Sequence, residues 1–191
     1  MINQTKKDLS VGNGDSFLMW GYLSAAISLA VIVMLLATND PRYAWLYMVI
    51  PIAGFTVSGI KTYKAKRKSH VASTYASNTI NNVWAIISAV FAVYAISCLL
   101  HFGEVRSWNG MFLLGMLLPG IGTYTTGVIL KEKSIQICGL LGVVIGTGLL
   151  RDFVCGEQVI SIMQMGQMVL SFVITLIIPG HILNFKAKKQ Q

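Results

Sequence analysis

The chain has 191 residues, 54% of them hydrophobic and 12% charged, with a formal net charge of +8. A soluble globular domain is about one quarter charged, so this composition excludes one. The positive charge comes in short clusters that abut apolar segments, which points to anionic lipid headgroups and argues against nucleic acid as a partner.

Met1–Ser16 is polar and is read as a cytoplasmic N-terminal segment (1–16). Six apolar runs follow, at 17–37, 43–60, 83–102, 111–130, 135–150 and 159–182. About 20 apolar residues cross the hydrocarbon of a bilayer. A crossing segment must be helical, because lipid offers no partner to an exposed backbone group. The first run is too long for the core of a signal peptide and is kept as a span. The fifth is short and rich in glycine, so it either barely crosses or is held inside the bundle. The expected fold is therefore all-α, a polytopic transmembrane bundle of six helices in one domain, 17–182. It consists of three hairpins at about 17–60, 83–130 and 135–182, with a basic loop at 61–82 and a basic tail at 183–191.

Orientation follows from the basic residues. Lys6, Lys7, Lys61, Lys64, Lys66, Arg67, Lys68, Lys131, Lys133, Lys186, Lys188 and Lys189 fall on one side, against Arg42, Arg106 and Arg151 on the other. Positive charge is retained inside, which places both termini in the cytoplasm. Trp20 and Trp84 then lie at inner boundaries, with Trp45 and Trp108 at outer ones, the depth that amphipathic aromatic rings prefer. Cys98, Cys138 and Cys155 contain no CxxC spacing and build no disulfide framework.

An internal repeat is legible. Pro51, Gly54, Ser58, Gly59 and Ile60 in the second span match Pro119, Gly122, Thr126, Gly127 and Val128 in the fourth, each set followed by a lysine, Lys61 or Lys131. The preceding spans match as well, from Trp20 to Ala25 and from Trp84 to Ala89. The pattern describes a duplicated helical hairpin whose copies share an orientation, related by an axis along the membrane normal. The third hairpin keeps only a degenerate trace, Pro179-Gly180. With these features the chain resembles small, uncharacterised six-span bacterial inner-membrane proteins. That resemblance covers the whole length, is one of pattern, and implies no particular activity.

Candidate functional residues are few. Pro51 and Pro119 lie near mid-span, where proline removes a helical hydrogen bond and frees the carbonyl four residues earlier. Bent helices at that depth build transporter sites, so Pro51, Gly54, Ser58, Gly59, Pro119, Gly122, Thr126 and Gly127 are helix-bend or cavity candidates, although packing explains them more simply. Ser58 and Thr126 are expected to face inward and to bond a carbonyl one turn earlier. Gln164 and Gln167, three apart, join the cavity set; with Gln136 their default role is to bond neighbouring helices. Gly139, Gly142 and Gly146 form a face that lets another backbone approach closely. Met163, Met165 and Met168 are soft-metal donors by type, and His101 with Glu104 marks an outer cation site by proximity. Core packing and ordinary wet-loop placement account better for both, so no metal and no cofactor is assigned.

No acidic or basic residue lies deep within a span, which argues against a proton relay or ion-coupled pump. No nucleophile sits in a recognisable catalytic setting. The sequence reading is a non-enzymatic accessory or regulatory subunit of the bacterial inner membrane. Anionic headgroups lie at its basic inner loops, and the 61–82 loop and the glycine face are the candidate contacts for a protein partner and an oligomer. The alternative is a small permease or channel lined by the second and fourth spans.

Overall fold

The computed structural model describes residues 13–38, 75–100, 105–155 and 162–189, together with 46, 49, 50, 52–54, 56, 57, 59 and 60. The described residues are helical apart from the Lys131–Glu132 turn. The elements are α1 (Asn13–Thr38), α2 (Tyr75–Leu100), α3 (Val105–Leu130), α4 (Lys133–Cys155), α5 (Ile162–Phe172), a π-helical turn (Val173–Ile177) and α6 (Ile178–Lys189). Four helices are long and apolar enough to cross a bilayer: Gly14–Thr38, Tyr75–Cys98, Gly110–Ile129, and the rod Ile162–Lys189 that joins α5, the π-turn and α6. The protein is a multi-pass, all-helical membrane protein. The apolar part of α4, Lys133–Gly148, is shorter than these four, and of the second span only isolated residues from 46 to 60 are described.

Helix boundaries reach past the apolar runs in several places. α2 begins at Tyr75, so residues 75–82 of the loop read from sequence are helical. α6 runs to Lys189 through most of the expected tail, and α1 starts at Asn13 within the expected polar segment. The reason is that hydropathy reports where lipid is, whereas a helix continues wherever its backbone bonds do. Lysine is a good helix former. Lys186, Lys188 and Lys189 also sit in the last turn, where positive charge opposes the helix dipole, as Asp15 does in the first turn of α1.

Two packing units build the bundle. In the first, α1 lies along the α5–π–α6 rod through Gly14, Phe17, Gly21, Ser24, Ser28, Val31 and Leu35, a seam of buried positions spaced three and four apart. A side chain on Gly21 would strike Leu176 and Ile177, and one on Gly14 would strike the Gly180 carbonyl. In the second, α3 and α4 form a close hairpin in which a Cβ on Gly120 would meet the Val143 amide at 2.9 Å and the Gly139 carbonyl at 3.1 Å. The turn between them is closed by Lys131 N–H donating to Val128 O (3.1 Å) and Glu132 N–H donating to Gly127 O (2.9 Å). This is the paired C-terminal cap whose penultimate residue takes a left-handed conformation, here Lys131 with φ 55°. Gln136 adds a side-chain clasp, its Nε2 donating to Gly127 O at 3.1 Å.

The core contains Phe17, Val31, Phe112, Met116, Ile135, Met165, Met168, Phe172 and Leu176. α2 is the most peripheral element. It packs on α3 and presents Ile86, Val93, Ile96 and Leu100 outward, as a helix facing lipid does.

Candidate functional site

The polar centre of the bundle consists of hydroxyls. Thr123 and Thr126 on α3, Ser171 and Thr175 on the rod, and Ser24 and Ser28 on α1 are all buried. In an apolar interior each hydroxyl needs an acceptor, and the nearest is a helix carbonyl. Thr126 Oγ1 donates to Gly122 O and Thr175 Oγ1 to Ser171 O, both at 2.7 Å and one turn earlier. Thr126 also accepts the indole N–H of Trp84 at 3.2 Å. Ser28 Oγ and Ser171 Oγ have no hydrogen-bond partner.

Thr123 makes the informative bond. Its Oγ1 donates to the backbone carbonyl of Thr175 at 2.7 Å, from α3 across to the rod. Pro179 lies four residues beyond Thr175 and has no N–H with which to satisfy that carbonyl. The wide π-turn ends just before it, with Ile178 N–H reaching back five residues to Val173 O. In a regular α-helix the proline ring would crowd the Thr175 carbonyl; the wider turn accommodates it, and Thr123 supplies the missing donor. The logic that singles out Pro51 and Pro119 in the sequence extends to Pro179 as well. Subtracting four from 179 would have found Thr175.

The tryptophans that mark the matched spans turn inward. The ring of Trp20 lies on Gly54, where any Cβ would overlap it. The ring of Trp84 lies on Gly122, where a Cβ would come within 3.1 Å of its Cη2 and Cζ2. Trp84 also meets Phe17 edge to face, with ring centroids 5.2 Å apart, which ties α2 to α1.

Other sequence candidates are placed as follows. Pro119, Gly122 and Gly127 are buried on α3, whereas Gly59 is exposed with open space at its Cα. Pro51 and Ser58 lie outside the described residues, as do His101 and Glu104. Gly139 abuts the Tyr124 backbone, Gly142 the Thr175 side chain and Gly146 the Leu117 side chain. Gln164 and Gln167 are half-buried on the same helix. The three methionines do not converge: Met163 is 75% exposed, whereas Met165 and Met168 are core residues. Among the described residues, no group of three or more His, Cys, Asp or Glu side chains is placed to hold a metal ion. Cys98 and Cys138 are thiols.

Comparison with known families, characterised proteins and solved structures finds no match. The functional reading therefore rests on the geometry. A centre of hydroxyls, with its three threonines bonded to helix carbonyls, holds helices in register. It offers neither an activated nucleophile nor a fixed charge.

Proposed function

We propose that this chain is a non-enzymatic accessory or regulatory subunit of the bacterial inner membrane, with six spans and both termini cytoplasmic. The observation that carries this reading is the bonding of the central hydroxyls. Thr123, Thr126 and Thr175 are satisfied by carbonyls inside a packed bundle, and the buried polar residues among those described are serines and threonines. A permeation path needs polar groups that face water, and these three hydroxyls donate to helix carbonyls. The duplicated hairpin belongs to the same proposal. It is supported by the two matched contacts, Trp20 on Gly54 and Trp84 on Gly122, between residues that the sequence pattern pairs. A partner docks at the basic 61–82 loop in this reading, and the basic inner loops contact anionic headgroups.

The alternative is a small permease or channel lined by the second and fourth spans; the two buried hydroxyls without a partner, Ser28 and Ser171, lie on the first and last spans and do not mark that path.

Purification from native membranes tests the choice. A subunit is expected to co-purify with a stoichiometric partner that is lost when the 61–68 basic cluster is neutralised, and to move no solute when reconstituted alone in liposomes. Solute flux through the isolated chain would overturn the subunit reading. Orientation is checked separately by single cysteines in a cysteine-free background. Those at Ser107 and Gly156 are expected to label from outside sealed cells, whereas one at Ser69 is not. Labelling at Ser69 would reverse the topology.

A further inference from the structure

The lysine-rich end of the bundle carries an arrangement that helix packing does not use. Tyr22 on α1 and His181 on α6 share a hydrogen bond of 2.9 Å between the phenol oxygen and Nε2, with the rings edge to face. Both side chains are exposed, Tyr22 by 52%. Buried polar pairs commonly clasp helices, but this one lies on the outer surface of the α1–α6 seam. Whichever way the shared proton points, one donor remains. If Tyr22 O–H donates, the imidazole keeps Nδ1–H; if Nε2–H donates, the phenol keeps its own hydrogen.

The same face continues in both directions along α6. His181, Phe185, Lys188 and Lys189 lie at intervals of four, seven and eight residues, which stack on one side of a helix. All four are exposed. Lys189 folds back so that its Nζ lies 4.8 Å from the Phe185 ring centroid. Phe185 is one turn, about 6 Å, below His181, so the ammonium and the imidazole share one face of α6. Toward the centre of the bilayer the face becomes apolar, with Ile178 on α6 and Leu29 on α1 exposed.

Two other polar groups of α6 are engaged elsewhere. Lys186 forms an ion pair with Glu132 of the α3–α4 turn, and Asn184 Nδ2 donates to Asp15 Oδ1 at 2.9 Å. Asp15 is the acidic group on the neighbouring turn of α1, and its charge is outweighed by Lys188 and Lys189 together.

We propose that this face is a binding site for an anionic phospholipid. The order along the helix axis is the order of the lipid itself. An apolar wall for the acyl chains comes first, then a hydrogen-bond donor pair at the depth of the phosphate, then two ammonium groups for headgroup charge. Charge complementarity and the exposed apolar wall together select a lipid over a free anion, which would need no wall, and over a second copy of the chain, whose matching lysines would repel. The site holds whether the protein is a subunit or a permease.

The test uses the full chain purified in an uncharged detergent and examined by native mass spectrometry with added phosphatidylglycerol, phosphatidylcholine or inorganic phosphate. Phosphatidylglycerol is expected to be retained at collision energies that strip phosphatidylcholine, and inorganic phosphate is not expected to displace it. His181→Ala combined with Lys189→Ala should remove most of that preference, at roughly fivefold in affinity per lost near-surface charge. Lys133→Ala, which removes an equal charge from another exposed position on the same end, should leave it intact. Tyr22→Phe keeps the ring and should weaken retention without altering thermal stability. Equal retention of the two lipids, displacement by inorganic phosphate, an equal loss in Lys133→Ala, or dimerisation in place of lipid uptake would each overturn the proposal.

Discussion

Replacing Gly139 with leucine is expected to stop the chain from folding to a stable bundle, whereas the same substitution at Gly148 or Gly166 is expected to be tolerated. A Cβ at Gly139 would sit against the backbone of Tyr124 and within 2.8 Å of the Gly120 carbonyl. Side chains can rotate away from an intruding group, but a helix backbone cannot. The α3–α4 hairpin would have to separate along its length, lose its close contact, and break the clasp that Gln136 makes with Gly127. Overpacking in a well-fitted core costs about 1–3 kcal/mol and more when backbone must move, so a loss of about 3 kcal/mol or more is expected here. At Gly148 and Gly166 nothing lies within 4 Å of the added carbon, and both positions are exposed. There the substitution should not destabilise, and leucine's better helix propensity is worth up to about 1 kcal/mol. Thermal unfolding in detergent, followed by size-exclusion chromatography of each variant, measures the difference. Equal behaviour of Gly139→Leu and Gly148→Leu would mean that the hairpin is not held by backbone proximity.

The contrast among these glycines shows what a sequence of this kind discloses. Apolar length alone located the four described helices that are long enough to cross a bilayer, because lipid imposes a length. Facing was much harder to read. α1 is apolar all round, so its buried seam carries no amphipathic signal; Gly14, Gly21, Ser24 and Ser28 mark it by size instead. The ends of α2 and α6 are hidden from hydropathy, because Asn81, Asn82 and Lys186 are polar yet continue a helix beyond the apolar run. The three methionines were grouped by proximity in sequence. One residue along a helix is a rotation of about 100°, so Met163 and Met165 end on different faces. The bond between Thr123 and Thr175 joins residues 52 apart. Only the proline rule, applied to the third hairpin as it was to the first two, points there.

That bond supports the second large prediction, a double-mutant cycle on Thr123 and Pro179. Thr123→Val keeps the shape of a fully buried side chain and removes its donor. With Pro179 in place, the Thr175 carbonyl then has neither its helical N–H nor the threonine hydroxyl. An orphaned buried acceptor costs about 1–3 kcal/mol in water-soluble cores, and measured cycles between membrane helices centre lower, near 0.6 with a maximum of about 1.7. A loss of about 1 kcal/mol is therefore expected. Pro179→Ala restores an N–H four residues beyond Thr175 and removes the ring that the π-turn accommodates. In that background the carbonyl no longer needs Thr123, and Thr123→Val should cost less than about 0.5 kcal/mol. The readout is equilibrium unfolding in mixed micelles for the four proteins of the cycle. Coupling of the expected sign would identify the π-turn as a consequence of Pro179 that Thr123 repairs. Equal costs of Thr123→Val in both backgrounds would show that the hydroxyl serves another purpose. The open hydroxyl of Ser171, the residue whose own carbonyl receives Thr175, would then become the first place to look for a polar path through the bundle.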